Sequence, residues 1–324
     1  MTALVLRRLL FSIPVMVAAS VLIFFGVSSI GDPLSELRLA PNISQATIDN
    51  IAARKHLNEP LLVQYGLWVQ DALTEQFGTY LVSGTPIWPD LRRAMANTLQ
   101  LVLAAEAIAL VLAIVLGVVS AKRQYSVFDY ATTTLSFFGF SMPIFWFALI
   151  LQVITVNLFE VTGVRVLYTS GLSSVDSGSG LAFLVDRVQH LALPIIALSM
   201  VSVATYSRYM RAAMLEVINS DYVRTARAKG VPEHRVTRRH AMRNALIPVV
   251  TVATLNLGVV LGGVIVTETV FSLDGMGLFF IRALSARDVY PLMAWLMVSA
   301  LAIILFNLLA DVLYGYLDPR IRHD

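Results

Sequence analysis

Six apolar runs, each long enough to cross a bilayer, constrain this chain more than any other feature of its sequence. They cover residues 9–30, 98–120, 131–158, 191–209, 246–271 and 291–316. A crossing takes roughly 20 apolar residues. No soluble fold needs six such runs, and a soluble core helix keeps a polar stripe toward water. In hydrocarbon every backbone N–H and C=O must be paired within its own segment, so the runs are expected to be helices. Composition agrees: 57% of the 324 residues are hydrophobic and 14% are charged, against about 25% charged in an ordinary soluble domain. A secreted mini-protein, a disordered tail and a collagen-like chain are excluded. The chain has no Cys, hence no disulfides and no thiolate metal sites. The expected fold is an all-α membrane protein with six transmembrane helices.

Arg7 and Arg8 precede the first run as they would in a signal peptide. A signal's apolar region spans about 7–15 residues, and this run is longer, so an uncleaved helix is expected. Orientation follows from Lys and Arg. With the N-terminus cytoplasmic, nine of the 24 Lys and Arg fall in one cytoplasmic stretch between Arg208 and Arg243. The short outer loops hold only Arg165, Arg187, Arg282 and Arg287. This bias puts both termini in the cytoplasm, with the chain multi-pass in the plasma membrane. A net charge of +3 is too mild to imply nucleic acid.

Three parts are expected. Residues 1–30 hold the N-terminus and first transmembrane helix. Residues 31–97 form an extracytoplasmic helical insertion between the first two helices. Residues 98–324 form a five-helix core with a cytoplasmic loop at 207–247. In the insertion, Ser44 can N-cap a helix, with Ile43 and Ile48 as a hydrophobic staple. Leu61, Tyr65, Trp68 and Ala72 recur at helical spacing. The insertion reads as an amphipathic cap resting on the membrane surface or on its own helices; a dedicated recognition site is the other reading. The Ser/Gly stretch at 170–180 reads as a flexible outer loop.

Catalytic motifs are missing. A Walker A loop requires Gly-Lys-Ser/Thr, and Lys55, Lys122 and Lys229 do not fit it. No H-E-x-x-H or G-x-S-x-G occurs, and His56, His190, His234, His240 and His323 are scattered. The chain is expected to be no enzyme, with no catalytic residue, no metal site and no cofactor of its own.

Glu106 lies inside the second run. An ionised residue at mid-bilayer costs about 2.5–3.5 kcal/mol. About a dozen Leu, Ile and Val in the same helix each return roughly 0.3–0.6 kcal/mol. Insertion wins, and Glu106 must face protein or water. Two readings stand: a pathway residue or an interhelical hydrogen bond. Asn256, Asn307 and Gln152 invite the same pair of readings. Gly258 and Gly262 form a G-x-x-x-G, which lets helix backbones approach closely. Pro143 should kink the third helix, while Pro194 and Pro291 are read as lying near helix ends.

The segment from Tyr206 to Pro248 is the most unusual. The fourth helix can continue to Asn219. Asp221 is a good N-cap for a short helix at 222–229. Arg227 and Lys229 suit its C-terminal dipole, Gly230 suits the left-handed position beyond it, and Pro232 opens the next helix. So short a helix is marginal alone and must draw stability from packing. Tyr222, Thr225, Ala226 and Lys229 share one face with small residues at its middle, suited to a groove on a partner.

This loop resembles the EAA-type coupling loop of binding-protein-dependent ABC importer permeases. More narrowly, the chain resembles the B-type permease of dipeptide, oligopeptide and nickel importers. Matching stretches include Gly31-Asp32-Pro33, Gln64-Tyr65 with Trp68, Phe77-Gly78-Thr79, Ser141-Met142-Pro143 with Phe145-Trp146, and His190 with Leu193-Pro194. The strongest are DYVRTARAKG from Asp221, RHAMRNALIP from Arg239, Glu268 with Phe271, and LDPRIR from Leu317. The general EAA pattern is E-A-A-x-x-x-G, nine residues, then I-x-L-P. Here it reads Arg224-Thr225-Ala226, then Gly230, then His240-Ala241-Met242-Arg243, without the first Glu or the final Pro.

The resemblance implies a type I ABC importer permease fold and an assembly. A second, C-type permease subunit would complete the pathway. Two ATP-binding subunits, or one fused ATPase, would bind ATP and Mg. An extracytoplasmic binding protein would deliver a dipeptide or oligopeptide, with nickel or glutathione as alternatives. Asp221, Tyr222, Arg224, Thr225, Ala226, Lys229 and Gly230 would seat in the ATPase subunit. Glu106, Pro143, Asn256, Glu268 and Asn307 are the pathway or kink candidates. A stand-alone secondary transporter and a membrane receptor or scaffold are the readings from other classes.

Overall fold

The computed structural model describes residues 2–29, 31–39, 43–74, 77–175, 177–260 and 264–317. The chain opens with α1 (Thr2–Ser28). It passes through α2 (Ser35–Leu39), α3 (Gln45–Arg54) and α4 (Leu61–Thr74) into the long α5 (Trp88–Lys122). Then come α6 (Val127–Ser141), α7 (Ile144–Thr162) and α8 (Leu181–Ile218). The short α9 (Asp221–Ala228) and α10 (Glu233–Arg235) lead through a π-helical turn (Val236–Ala241) to α11 (Met242–Val260). The chain ends in α12 (Ile265–Val270), α13 (Met276–Ser285) and α14 (Val289–Leu317). Among the described residues, extended pairing is limited to one bridge between Thr79 and Pro86.

Five described helices are long and apolar enough to span a membrane: Leu6–Ser28, Trp88–Lys122, Ile144–Thr162, Leu181–Ile218 and Val289–Val312. The third and fifth runs depart from single helices. Pro143 does not kink the third; it ends α6 and starts α7. Met142 is extended (φ −79°, ψ 126°), as is Pro143 (φ −60°, ψ 129°). The ring of Pro143 pushes the preceding residue out of the helical region, and its missing N–H breaks the ladder. The fifth run divides into α11 and α12. Gly262 and Gly263 fall between them in sequence, and each glycine costs a helix about 1 kcal/mol relative to alanine. Pro194 proves to lie well inside α8 rather than near its end.

α5 and α8 lie side by side in the same direction and form the centre. They approach tightly at Gly117, where a Cβ would come within 2.6 Å of Met210 Cβ and 2.9 Å of the Ser207 carbonyl. Ala105, Ala109 and Ala113 keep the α5 face small, and all are buried. The segment α2 to α4 rests on the chain's own helices. Ser44 caps α3, accepting from Thr47 N at 3.2 Å, and Ile43 packs on the cluster that holds Ile48. Trp68 is buried against Phe24 and Val27 of α1 and Met293 of α14. Asp288 accepts from Leu81 N at 2.7 Å and ties the stretch between α4 and α5 to the start of α14.

Candidate functional site

α8 carries the 207–247 loop. The expected short helix is present but begins one residue early. Ser220, in extended conformation, is the N-cap, and Asp221 is the first helical residue. The Ser220 hydroxyl does not cap; it donates back to Val217 O at 2.6 Å. Asp221 instead complements the helix dipole. Gly230 has φ +75°, the left-handed conformation expected of it, and its N–H donates to Arg227 O at 2.9 Å. Pro232 is the N-cap of α10 rather than its first residue.

The expected docking face is divided. Ala226 is 7% exposed and Val223 is fully buried, packed with Met210 and Met214 of α8 and with Val236 and Ala241. Asp221, Tyr222, Arg224, Thr225, Lys229 and Gly230 remain exposed. The reason is the seat: an eight-residue helix needs packing to persist, and Val223 with Ala226 is the apolar edge it offers. Tyr222 accepts from Asn244 Nδ2 at 2.8 Å. Arg227 grips Glu233 at 2.9 and 3.1 Å across the turn into α10, which holds the Glu233 carboxyl below the usual carboxylate range.

Glu106 is 3% exposed on α5. Ser202 Oγ donates to its Oε1 at 2.9 Å, and Asn256 Nδ2 lies at 3.3 Å. Asn256 also donates to Tyr206 Oη at 2.8 Å. The node joins α5, α8 and α11, so Glu106 and Asn256, both singled out in sequence, meet in an interhelical hydrogen bond. Gln152 also bridges elements, donating to Thr169 O at 2.8 Å and Val270 O at 3.1 Å.

Glu268 does something different. It is fully buried and accepts from Gly277 N at 2.6 Å and Leu278 N at 3.1 Å, with Thr98 Oγ1 donating at 2.5 Å. Thr98 Oγ1 in turn accepts from Met276 N at 2.8 Å. Two side chains from elsewhere thus cap the unsatisfied first turn of α13. Gly275 is required here: a Cβ would sit 2.3 Å from Glu268 Oε1. Asn307 stands apart, exposed on α14 beside the ion pair of Arg8 and Asp311 at 3.1 Å. Of the glycine pair, Gly258 falls in α11 and Gly262 lies outside the described residues, as do residues 318–322 of the C-terminal motif.

At the end of the molecule away from α9, a cavity of about 660 Å³ opens between α4, the end of α1 and the start of α14. Lys55 lies on its wall, donating to Thr79 O and Oγ1 at 2.5 and 2.8 Å and resting 4.1 Å over the Tyr290 ring. Sequence reasoning missed Thr98 and Ser202, because an isolated hydroxyl in an apolar run carries no mark of its partner.

Residues 113–323 match the family described as binding-protein-dependent transport system inner membrane component. Over 328 residues the chain is 40% identical to the oligopeptide transport system permease protein AppB of Bacillus subtilis, covering all of both chains. It is 38% identical over 333 residues to the dipeptide transport system permease protein DppB of Alkalihalophilus pseudofirmus, again covering all of both. It is 35% identical over 333 residues to the dipeptide transport system permease protein DppB of Escherichia coli K12, covering 98% of each. The matched family segment includes α8, the α9 loop, Glu268 and α14. The chain belongs to the family of binding-protein-dependent transport system inner membrane components: it is a multi-pass permease subunit of an ABC importer.

Proposed function

We propose that the chain forms half of the translocation pathway of an ATP-driven importer of di- or oligopeptides and that α9 is its coupling helix. The observation that carries this reading is α9 itself. It is anchored on one side by Val223 and Ala226 and offers Tyr222, Arg224, Thr225 and Lys229 on the other. A rigid mount with an open polar face suits transmission of motion from a partner. Peptides are favoured over nickel or glutathione by the names of the full-length relatives. The chain makes six crossings: α1, α5, α6 with α7, α8, α11 with α12, and α14. Both termini and α9 are cytoplasmic; residues 31–97 and α13 are extracytoplasmic and meet the binding protein.

The partners are a second, C-type permease, two ATP-binding subunits or one fused ATPase, and the binding protein. ATP and Mg sit in the ATPase subunits. The test is reconstitution of the complex in proteoliposomes. Binding protein loaded with peptide should stimulate ATP hydrolysis and peptide uptake. Exchange of Arg224→Glu should release the ATPase subunits on copurification while the permease stays folded. ATPase subunits that remain bound to the Arg224→Glu chain would overturn the docking assignment.

A further inference from the structure

Asp129, in the first turn of α6, is 2% exposed. A buried carboxylate persists as a charge only when paired and hydrogen-bonded. Here both oxygens are engaged twice. Arg211 of α8 clasps them with Nε to Oδ1 at 2.6 Å and Nη2 to Oδ2 at 2.7 Å. Ser120 Oγ of α5 donates to Oδ1, and Tyr125 N donates to Oδ2 at 2.9 Å. A bidentate guanidinium pair fixes orientation as well as distance.

The neighbours of this clasp give it direction. Arg211 stands between Met210 and Met214, the two α8 residues on which Val223 and Ala226 of α9 are seated. Farther along, the hydroxyls of Ser136 and Ser207 hydrogen-bond at 3.1 Å. The Arg208 guanidinium lies 5.0 and 4.9 Å over the rings of Phe137 and Phe140. α6 is therefore fastened to α8 from its first turn to its last, and α5 is wedged against both at Gly117 and Ser120. One residue after Phe140, at Ser141, the helix stops. Met142 and Pro143 are extended, and α7 begins on a new ladder.

We propose that α6, α8 and α9 move as one lever, pinned by Asp129 and Arg211 and hinged to α7 at Met142 and Pro143. Arg211 is then a positioning residue: it acts through α6 and touches neither substrate nor ATP. The inference rests on the reading of α9 as the coupling helix. Displacement of α9 by the ATPase subunits reaches the pathway through α6 while the pin holds, because α8 carries both the clasp on Asp129 and the methionines on which α9 is seated.

The experiment uses the complete importer in proteoliposomes. The chain has no cysteine, so single pairs can be introduced and spin-labelled. Labels at Thr134→Cys on α6 and Ala228→Cys on α9 should keep their separation between nucleotide-free and ATP-bound states. Labels at Thr134→Cys and Leu149→Cys, across the hinge, should change theirs. In parallel, Arg211→Ala should retain its ATPase subunits and its hydrolysis while peptide transported per ATP falls about tenfold, the size of a typical coupling energy. Arg211→Lys should recover part of that ratio. Equal changes in both label separations overturn the lever, as does a loss of transport in proportion to hydrolysis in Arg211→Ala. A wild-type chain that brings no ATPase subunit overturns the coupling reading itself, and the lever with it.

Discussion

α9 and α13 are both too short to cross a membrane, lie at opposite ends of α5, and are held by opposite kinds of contact. α9 is held from the side. Val223 and Ala226 fill an apolar seat, and the polar face is left free. α13 is held from its end. Glu268 and Thr98 take the N–H groups of Met276, Gly277 and Leu278, while Met276, Phe279 and Ala283 are buried. A side mount is non-directional and tolerates a partner on the open face. An end cap is directional and leaves no freedom. The difference suits a helix that transmits force and one that holds a boundary.

The contrast can be broken at its strongest point first. Glu268→Ala leaves the Gly277 N–H buried and the Leu278 N–H half-buried without acceptors, and each donor orphaned in this way costs about 1–3 kcal/mol. The purified chain in detergent should lose about 3 kcal/mol in thermal unfolding, with Glu268→Gln losing less because one oxygen acceptor survives. Ala226→Leu overfills the α9 seat and should cost about 2 kcal/mol by the usual penalty of overpacking. It should abolish uptake while membrane insertion, followed by fractionation, survives. A chain with Ala226→Leu that unfolds like wild type would mean that the seat is not rigid.

Gly230→Val asks whether the exit from α9 matters. A β-branched residue at φ +75° costs about 1–2 kcal/mol, and uptake should fall with ATPase subunits only partly retained. The smallest effect is expected at Glu233→Gln. An exposed ion pair such as that of Arg227 and Glu233 (side chains 38% and 53% exposed) contributes no more than about 1 kcal/mol and is screened by salt. Because the folded state lowers the Glu233 pKa, its contribution is present above the unfolded carboxylate value. It disappears as pH falls through the lower folded value. A denaturation midpoint that responded more strongly to Glu233→Gln than to Glu268→Ala would invert the comparison.

The readable and unreadable features separate by the distance over which they act. The caps and the left-handed glycine around α9 depend on residues within a turn of one another. Their punctuation was legible to within one residue, Ser220 replacing Asp221 as the cap. The break at Pro143 was legible as a defect but not as a helix end, because whether a proline kinks or stops a helix depends on what packs on either side. Pro194 shows the other outcome, buried within a continuous α8. Glu106 and Asn256 were legible as residues in need of partners, but not as partners of each other.

Hydropathy, charge bias and capping are properties of neighbouring residues. The sequence by itself therefore determined the membrane class, the helical content and the position of the short helix after α8. Which side of α9 turns inward was decided only when Met210, Met214 and Val236 converged on Val223 and Ala226. The cap on α13 required Thr98 and Glu268, 170 positions apart, to meet. The clasp on Asp129 required Arg211, 82 positions away. Burial makes each of these polar groups costly alone and stable in company, and only the tertiary structure supplies the company.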